Sequence, residues 1–190
     1  GGQVVRVGHP GMAPFRQQDG FVDLSAEEEN AFELQAFAIS RARFMLAVSS
    51  GPLQVASAFG TPAGSTNSIT PAENPGCWND RDLCLHRNLF LADGTRIPAE
   101  VALEQGLYDR PMLMDLVHEN RLTVMENSSD ELFEVARQLH DETTDTDQWR
   151  TPVLEPNPGY VPPNKVSMPC DGKRKVRIVE YPDLAEPPPP

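Results

Sequence analysis

The stretch that most constrains the fold of this chain covers residues 44–67. It opens with an apolar run, residues 44–48, that is long enough for a buried strand. The Ser49-Ser50-Gly51-Pro52 turn follows at once, and a proline suits the first turn of a helix because no helical hydrogen bond there needs its missing N–H. Gly60 ends that short helix, and a second apolar segment runs on to Asn67. The pattern predicts a strand, a tight turn, a helix and another strand, which is the repeating unit of α/β proteins.

The turn between this strand and helix is the candidate ligand site. Ligands of parallel α/β proteins bind at the carboxyl ends of the strands, where helix N-termini point toward them. The groups that the turn offers are the backbone amides of Gly51, Leu53 and Gln54 and the hydroxyls of Ser49 and Ser50. Together they predict a binding site for an anion, most naturally a phosphate. A turn that binds nothing is the alternative, since the spacing matches neither a P-loop nor a dinucleotide-binding motif.

Length, charge and cysteine content exclude several classes of protein. A chain of 190 residues predicts one domain with a modest core, and no apolar run approaches the roughly 18 residues of a membrane span. A formal charge of −12 argues against binding nucleic acid or an anionic membrane, because both require clustered Lys and Arg. The three cysteines form no zinc pattern and no disulfide framework, so we expect reduced thiols in a cytoplasmic protein. The chain does not begin with Met, from which we expect an N-terminal portion to be absent.

Two charged residues near strand ends have both a functional and a structural interpretation. Arg6 lies in an apolar run, residues 3–8, that predicts a strand ending in Gly8. Its guanidinium either reaches an anionic ligand from the strand's carboxyl end or faces water on an edge strand. Glu126 follows another predicted strand, residues 122–125, at a position where ligand-binding acids are often placed. A solvated turn residue is the alternative for Glu126.

Two further helices are predicted from periodicity and capping. One runs to Arg41, and its broad apolar face, which includes Phe32 and Phe37, predicts a helix wedged against a sheet. The other begins with Ser128 and Glu131, which form a capping box ahead of a clear helical repeat of apolar residues.

Two stretches lack a periodic pattern. Residues 68–80 form a long segment in which Trp78 either stacks on a base or sugar ring or fills a gap in the core. The last forty residues hold eleven of the nineteen prolines. We therefore divide the chain into a domain of residues 1–145 and a Pro-rich tail, residues 146–190, that is largely extended or disordered. Within the tail, residues 176–179 are a candidate strand for a sheet edge.

Four stretches resemble the C-terminal half of GT-B-type glycosyltransferases. They are VVRVGHPGM at 4–12, FVDL at 21–24, RFMLAVSSGPLQVASAFGTP at 43–62 and LTVMENSSDEL at 122–132. More narrowly, they resemble a bacterial glycosyltransferase family, defined mainly by sequence, that is encoded near cell-surface polysaccharide genes. The run that begins at Ser49 is also similar to the heptosyltransferase turn that holds a nucleotide diphosphate.

The resemblance implies an α/β fold, with a Rossmann-like parallel sheet, helices on both faces as in the C-terminal domain of a GT-B fold, and a Pro-rich C-terminal tail. It implies metal-independent transfer of a sugar from a nucleotide diphosphate sugar, which is a substrate rather than a cofactor, to a cell-surface glycan or related acceptor. By position, the implied donor contacts are Arg6, Gly8, Ser49, Ser50, Gly51, Pro52, Leu53 and Asn67. The acceptor site and the general base belong to a separate N-terminal half, so this chain alone is expected to bind a donor weakly and to transfer nothing. Its expected location is the cytoplasm or the periphery of the inner membrane.

The chain departs from the family pattern at two places. His9 stands where an Asp is expected, which puts in doubt the role that the family gives to that position. Ala63-Gly64-Ser65 replaces bulkier aliphatic residues before Asn67, which weakens the predicted strand.

Two other interpretations stay open. One keeps the fold and makes the chain a sugar-nucleotide epimerase or a heptosyltransferase-like relative. The other is a non-catalytic α/β interaction module whose Pro-rich tail recruits partners.

Overall fold

The structure, a computed structural model, describes residues 2–16, 18–25, 31–69, 81–144 and 177–188. The strands are β1 (Val4–Arg6), β2 (Phe21–Asp23), β3 (Met45–Val48), β4 (Ala63–Ser68), β5 (Leu83–His86), β6 (Asn88–Leu91), β7 (Arg96–Ile97), β8 (Leu122–Met125) and β9 (Arg177–Ile178). The helices are α1 (Ala31–Arg41), α2 (Gly51–Phe59), α3 (Ala99–Glu104), α4 (Arg110–His118) and α5 (Ser129–Glu142). The strands form a parallel β1–β2 pair, a four-stranded parallel sheet of order β3-β4-β5-β9, and a three-stranded antiparallel sheet of order β7-β6-β8.

The stretch at 44–67 folds as predicted. β3 pairs in parallel with β4 along its whole length, and α2 connects the two strands. Gly51 and Pro52 open the helix. Gly60 ends it in the left-handed conformation, with φ 70°, which a glycine adopts without steric strain. The strand–turn–helix–strand prediction is therefore confirmed.

Helices cover both faces of the four-stranded sheet. On one face, an apolar cluster joins α1 and α2 to β3 and β4. Its buried members are Ile39, Met45, Leu53, Ala56 and Ala63. On the other face, a second cluster joins α5 to β5. Its buried members are Leu83, Leu85, Val135 and Leu139. The α/β class, with a parallel sheet flanked by helices and compatible with a Rossmann-like fold, is confirmed.

Gly64 lets α5 approach the middle of this sheet closely. A Cβ atom at Gly64 would lie 2.8 Å from Leu46 Cδ1 and 2.9 Å from side-chain carbons of Leu139 and Val135. The small residues of β4 do not prevent the strand, which runs for six residues and is paired on both sides. Their small size instead provides the space that the two side chains of α5 occupy.

A second sheet follows β5, and the local pattern does not predict it. β6 and β7 form a hairpin across Asp93-Gly94, a dipeptide that is typical of tight hairpin turns. The strand predicted at 122–125 is confirmed as β8, but it runs antiparallel to β6 and does not join the parallel sheet. An apolar cluster packs α3 and α4 against this sheet. Its buried members are Leu89, Ala99, Ala102, Leu107, Tyr108, Leu113 and Leu122.

A chain of polar contacts begins at the start of α5. Ser128 and Glu131 form the predicted capping box. Glu131 is fully buried, and its two carboxylate oxygens accept hydrogen bonds from Asn88 Nδ2 at 3.1 and 3.0 Å. Asn88 Oδ1 accepts from Arg96 Nε at 2.9 Å, and Arg96 Nη2 donates to Glu180 Oε1 at 3.0 Å. Because a buried carboxylate is stable only when it is hydrogen-bonded or paired, these contacts tie α5 to β6, β7 and the residues after β9.

The last described segment, residues 177–188, packs on the sheets. β9 pairs in parallel with β5 at the edge of the four-stranded sheet, where the sequence predicts it. The Arg177 guanidinium donates to both carboxylate oxygens of Glu142, at 2.6 and 2.7 Å, and these bonds lower the pKa of that carboxyl. The rest of the predicted tail, residues 146–176 and 189–190, lies outside the described residues, so the prediction that the tail is largely extended or disordered is not tested there.

The broad apolar face predicted for α1 is buried only in part. α1 packs on α2 through Ile39, which is 4% exposed. Phe32 and Phe37 are 72% and 66% exposed. The prediction that this whole apolar face is buried is therefore wrong, because no described element covers either of these two rings.

We expect the Gly64→Ala substitution to lower the free energy of unfolding by about 1–3 kcal/mol, because the added methyl overpacks the contact between β4 and α5. Urea unfolding followed by circular dichroism measures the change. Gly51→Ala is the matched control, since a Cβ there meets no atom within 4 Å. Equal stability of Gly64→Ala and the wild type would contradict the packing described for α5.

Candidate functional site

The carboxyl ends of β3, β4 and β5, here called the carboxyl edge, bring together residues from distant parts of the sequence. β3 and β4 pair through Val48 and Thr66, so Asn67 lies level with Ser49. β5 borders β4 on the other side and leads into Arg87. Because neighbouring strands lie about 5 Å apart, the residues that follow three strand ends share one small surface.

The turn that precedes α2 is open. Ser50 is extended, with φ −162° and ψ 167°, and its hydroxyl makes no cap hydrogen bond to the helix. Ser49 and Gly51 are exposed, and Pro52 lies in the first helical turn. Leu53 is fully buried, so its side chain cannot contact a ligand, and the predicted Gln54 amide is engaged by the Ser50 carbonyl at 3.4 Å. The start of α2 therefore faces solvent with the partial positive charge of a helix N-terminus.

Arg6 has a structural partner. It lies opposite Asp23 in the β1–β2 pair, and its Nη1 donates to Asp23 Oδ2 at 3.1 Å. Its Nη2 donates to the carbonyl of Ala13 at 2.8 Å. Within the described ranges these are the partners of the guanidinium, and neither belongs to the turn before α2. β1 is an edge strand, as the structural interpretation expects, but the Arg6 side chain is only 17% exposed and is ion-paired instead of facing water. The ligand contact stays a prediction that requires the ion pair to open.

The carboxylate of Asp23 is held ionised by its neighbours. The Ser25 hydroxyl donates to Asp23 Oδ1 at 2.6 Å, and the Ser25 backbone amide donates to the same oxygen at 2.9 Å. These bonds, followed by the charge of Arg6, lower the pKa of Asp23. The ion pair with Arg6 is thus one part of a local network that fixes the ends of β1 and β2.

Gly8, the other residue predicted at the end of β1, is bound by α1. Gln35 Oε1 accepts from the Gly8 amide at 3.0 Å, and Gln35 Nε2 donates to the Gly8 carbonyl at 2.9 Å and to the Leu24 carbonyl at 3.2 Å. One side-chain amide thereby positions the ends of β1 and β2 against α1. His9 Nδ1, at the position where an Asp is expected, accepts from the Gly11 amide at 2.9 Å and closes a local turn.

Asn67 joins β4 to the segment before α5. Its backbone is left-handed, with φ 52°, a conformation that Asn tolerates better than most residues. Asn67 Oδ1 accepts from the Asn127 amide, and Asn127 Oδ1 accepts from the Asn67 amide, each at 2.7 Å. Asn127 Nδ2 also donates to the His86 carbonyl at 2.8 Å. Asn67 therefore lies at the carboxyl edge as predicted, and its contact with a donor stays a prediction.

Arg87 is a residue of the carboxyl edge that the sequence analysis does not single out. Its Nε donates to the Asn67 carbonyl at 3.3 Å, and its Nη2 donates to Glu126 Oε1 at 3.2 Å. The side chains of Arg87 and Glu126 are 29% and 74% exposed. The sequence does contain a signal for Arg87. Arg87 directly follows a strand that begins with apolar residues, and Glu126 was identified from the same kind of position.

Two kinds of hydrogen-bond donor therefore meet at the carboxyl edge, the amides at the start of α2 and the guanidinium of Arg87. Both suit an anion with several oxygen atoms, such as a phosphate. In the described part of the chain, no group of three or more His, Cys, Asp or Glu side chains is arranged to hold a metal ion.

His86 lies in the interior beneath this edge. Its ring stacks on Tyr108 with the centroids 4.4 Å apart, its Nδ1 lies 3.3 Å from the Ser68 carbonyl, and its Nε2 lies 3.6 Å from Cys84 Sγ. Burial lowers the pKa of His86 and raises the pKa of Tyr108. Because Cys84 and His86 are both buried, this pair is part of the core rather than a nucleophile and base that face the edge.

No protein-family model matches this chain, and no curated protein or solved structure matches it either. The resemblance to glycosyltransferases therefore depends on the four sequence stretches alone. None of the helices in the described ranges combines the length and the apolar character that crossing a membrane requires. Trp78, with its predicted stacking or core role, lies outside the described residues.

We expect the free energy of unfolding to decrease as the pH falls through about 6.5, the ordinary pKa of histidine. The folded-state pKa of His86 is lowered, so the unfolded chain takes up a proton more readily than the folded one, and acid favours unfolding. The charges nearest His86 do not reverse this sign, because the attraction of Glu180 is weaker than the effect of burial.

Urea unfolding at pH 7.5, 6.5 and 5.5 measures this dependence. The His86→Asn variant is the comparison, because it keeps a polar side chain but carries no titrating ring. We expect it to be less stable at pH 7.5 and to lose less stability on acidification. The same loss in both proteins would show that His86 does not cause the dependence.

Proposed function

We propose that this chain is the donor-binding half of a glycosyltransferase and that it binds a nucleotide diphosphate sugar at the carboxyl edge. The observation that carries the proposal is the open N-terminus of α2, which follows β3 in a parallel sheet. In parallel α/β folds this is the position at which phosphate groups bind. The turn is also part of the longest of the four stretches that resemble GT-B glycosyltransferases.

In the proposed complex, the diphosphate lies against the start of α2. The amides of Gly51 and Leu53 donate to its oxygens, and the hydroxyl of Ser50 adds a donor that the helix itself does not use. Asn67 lies one strand away, level with the turn. Arg6 contributes its guanidinium when the ion pair with Asp23 opens.

The proposed reaction is transfer of the sugar to a cell-surface glycan or related acceptor without a metal ion. As the glycosidic bond breaks, negative charge accumulates on the leaving diphosphate. Fixed amide and hydroxyl donors aimed at that group stabilise the transition state more than the bound substrate, because their bonds strengthen as the charge grows. The acceptor and the general base come from an N-terminal half, so the isolated chain binds the donor and transfers nothing.

A second candidate is a non-catalytic interaction module. Phe32 and Phe37 on α1 favour it, because both large aromatic side chains are left exposed and exposed apolar surface often marks a protein contact. This candidate predicts that the chain binds a protein partner and no nucleotide.

Isothermal titration calorimetry against UDP, GDP, ADP and CDP tests the first candidate. We expect the wild-type chain to bind at least one of them with a dissociation constant of about 1 mM or tighter, equivalent to roughly −4 kcal/mol or more. Ser50→Leu places an apolar side chain over the start of α2 and should abolish binding, whereas Thr95→Leu, on the exposed β6–β7 turn, is a control that should leave it unchanged.

Circular dichroism confirms that both variants are folded. Absence of binding to all four nucleotides would overturn the proposal in favour of the interaction module. Equal binding by the wild type and Ser50→Leu would place the nucleotide elsewhere on the chain. Conversion of a sugar nucleotide by the chain in the absence of any acceptor would instead indicate the epimerase alternative.

A further inference from the structure

We infer that Arg87 is a phosphate-binding residue of the carboxyl edge and that Glu126 holds its guanidinium in place until an anionic ligand displaces the carboxylate. This inference rests on the proposed function and deepens it, because it assigns the cation that receives the charge of the diphosphate. The resemblance to glycosyltransferases assigns no role to Arg87.

The position of the guanidinium supports this assignment. Arg87 Nε donates to the carbonyl of Asn67, which belongs to β4, the strand between β5 and β3. The guanidinium therefore lies over the end of β4, one strand away from the turn before α2. Since adjacent strands lie about 5 Å apart, it lies within reach of an anion bound at that turn.

Charge also supports it. Among the described residues that end or directly follow the four parallel strands, Arg87 has the one permanently cationic side chain. The chain as a whole carries a formal charge of −12. An acidic protein that binds a diphosphate needs a local cation at the site, because its overall field repels the ligand.

The pair with Glu126 is suited to exchange. Arg87 Nη2 and Glu126 Oε1 are 3.2 Å apart, and the Glu126 side chain is 74% exposed. Exposed ion pairs contribute little to stability, so the carboxylate is readily replaced. A phosphate accepts the same planar fork of N–H donors and carries more charge than a carboxylate. Arg6 differs, because its partner Asp23 is also hydrogen-bonded by Ser25.

The guanidinium has capacity for a further acceptor. Its Nε and Nη2 are engaged by Asn67 and Glu126, and Nη1 has no partner among the residues that the structure describes. The Asn67 contact fixes the Arg87 side chain over the edge. Nη1 remains available to a ligand, and Nη2 becomes available when Glu126 is displaced. Asn127, which holds Asn67 through two hydrogen bonds, thereby positions Arg87 as well.

Calorimetric titration of the whole chain with inorganic pyrophosphate and with UDP tests the inference. Arg87→Gln should weaken pyrophosphate binding about 10-fold or more, since it removes a charge-assisted bond. Glu126→Gln should instead tighten it about 2- to 5-fold, because the competing carboxylate is lost. This opposite sign distinguishes an exchanging pair from one that merely stabilises the fold.

Arg121 and Glu119 supply the matched controls. They form an ion pair of the same 3.2 Å length, both side chains are exposed, and the pair lies between α4 and β8. Arg121→Gln and Glu119→Gln change the net charge as the test variants do, and each should alter pyrophosphate binding less than about 2-fold. Arg87→Lys keeps the charge without the fork and should give an intermediate affinity.

The outcomes separate the two proposals. Binding of pyrophosphate or UDP that is unchanged by Arg87→Gln would overturn the role of Arg87 and leave the donor site standing. Weaker pyrophosphate binding in Glu126→Gln would overturn the exchange. No binding of either probe by the wild type, together with no binding of other nucleoside diphosphates, would overturn the donor site and the assignment of Arg87 together. If Arg87→Gln does not fold, the comparison of Arg87→Lys with Glu126→Gln decides.

Discussion

The arrangement of the carboxyl edge depends on two reciprocal hydrogen bonds between Asn67 and Asn127, in which the backbone N–H of each residue donates to the side-chain oxygen of the other. The parallel and antiparallel sheets share no strand-to-strand pairing among the described residues, and only Arg87 separates β5 from β6, so side-chain bonds hold the other strand ends of the two sheets together. Two 2.7 Å bonds between these asparagines, and a third from Asn127 to the His86 carbonyl, do this at the strand ends. These reciprocal bonds fix the end of β4 against the segment before α5 and thereby hold the edge in register.

Local sequence was sufficient for the elements whose cause is local. The Ser-Ser-Gly-Pro turn, the Gly60 stop and the Ser128–Glu131 capping box were all predicted and are all present, because each depends on residues within one or two turns of chain. The two strands of the β6–β7 hairpin were not predicted. β7 has only two residues, which is too few for an alternating pattern. The covered face of α1 was overestimated, since periodicity shows which side of a helix is apolar and not whether another element lies against it.

The sequence was sufficient to predict the backbone amides of the candidate site, but not the partners of its charged side chains. A helix N-terminus after a buried strand can be recognised from spacing alone, and the structure leaves that turn open. The partners of Arg6 and Arg87 depend on which strands become neighbours. Asp23 lies 17 positions from Arg6, and Glu126 lies 39 positions from Arg87, so no local pattern could pair them. Arg6 was predicted to contact the ligand because an arginine is unusual in an apolar run. In the fold, its bonds to Asp23 and to the Ala13 carbonyl give this arginine a structural role.

The pairing of β9 with β5 also affects how the chain is made. β9 lies about 90 residues downstream of β5, so a ribosome that adds 5–20 residues per second completes it roughly 5 to 20 seconds later. Throughout that delay β5 is an edge strand, in addition to β3 at the other margin of the parallel sheet, and its unpaired backbone groups can recruit a strand from another nascent chain. The emerging polypeptide is therefore most vulnerable to misassembly in this interval, and a chaperone that shields β5 during synthesis would protect it.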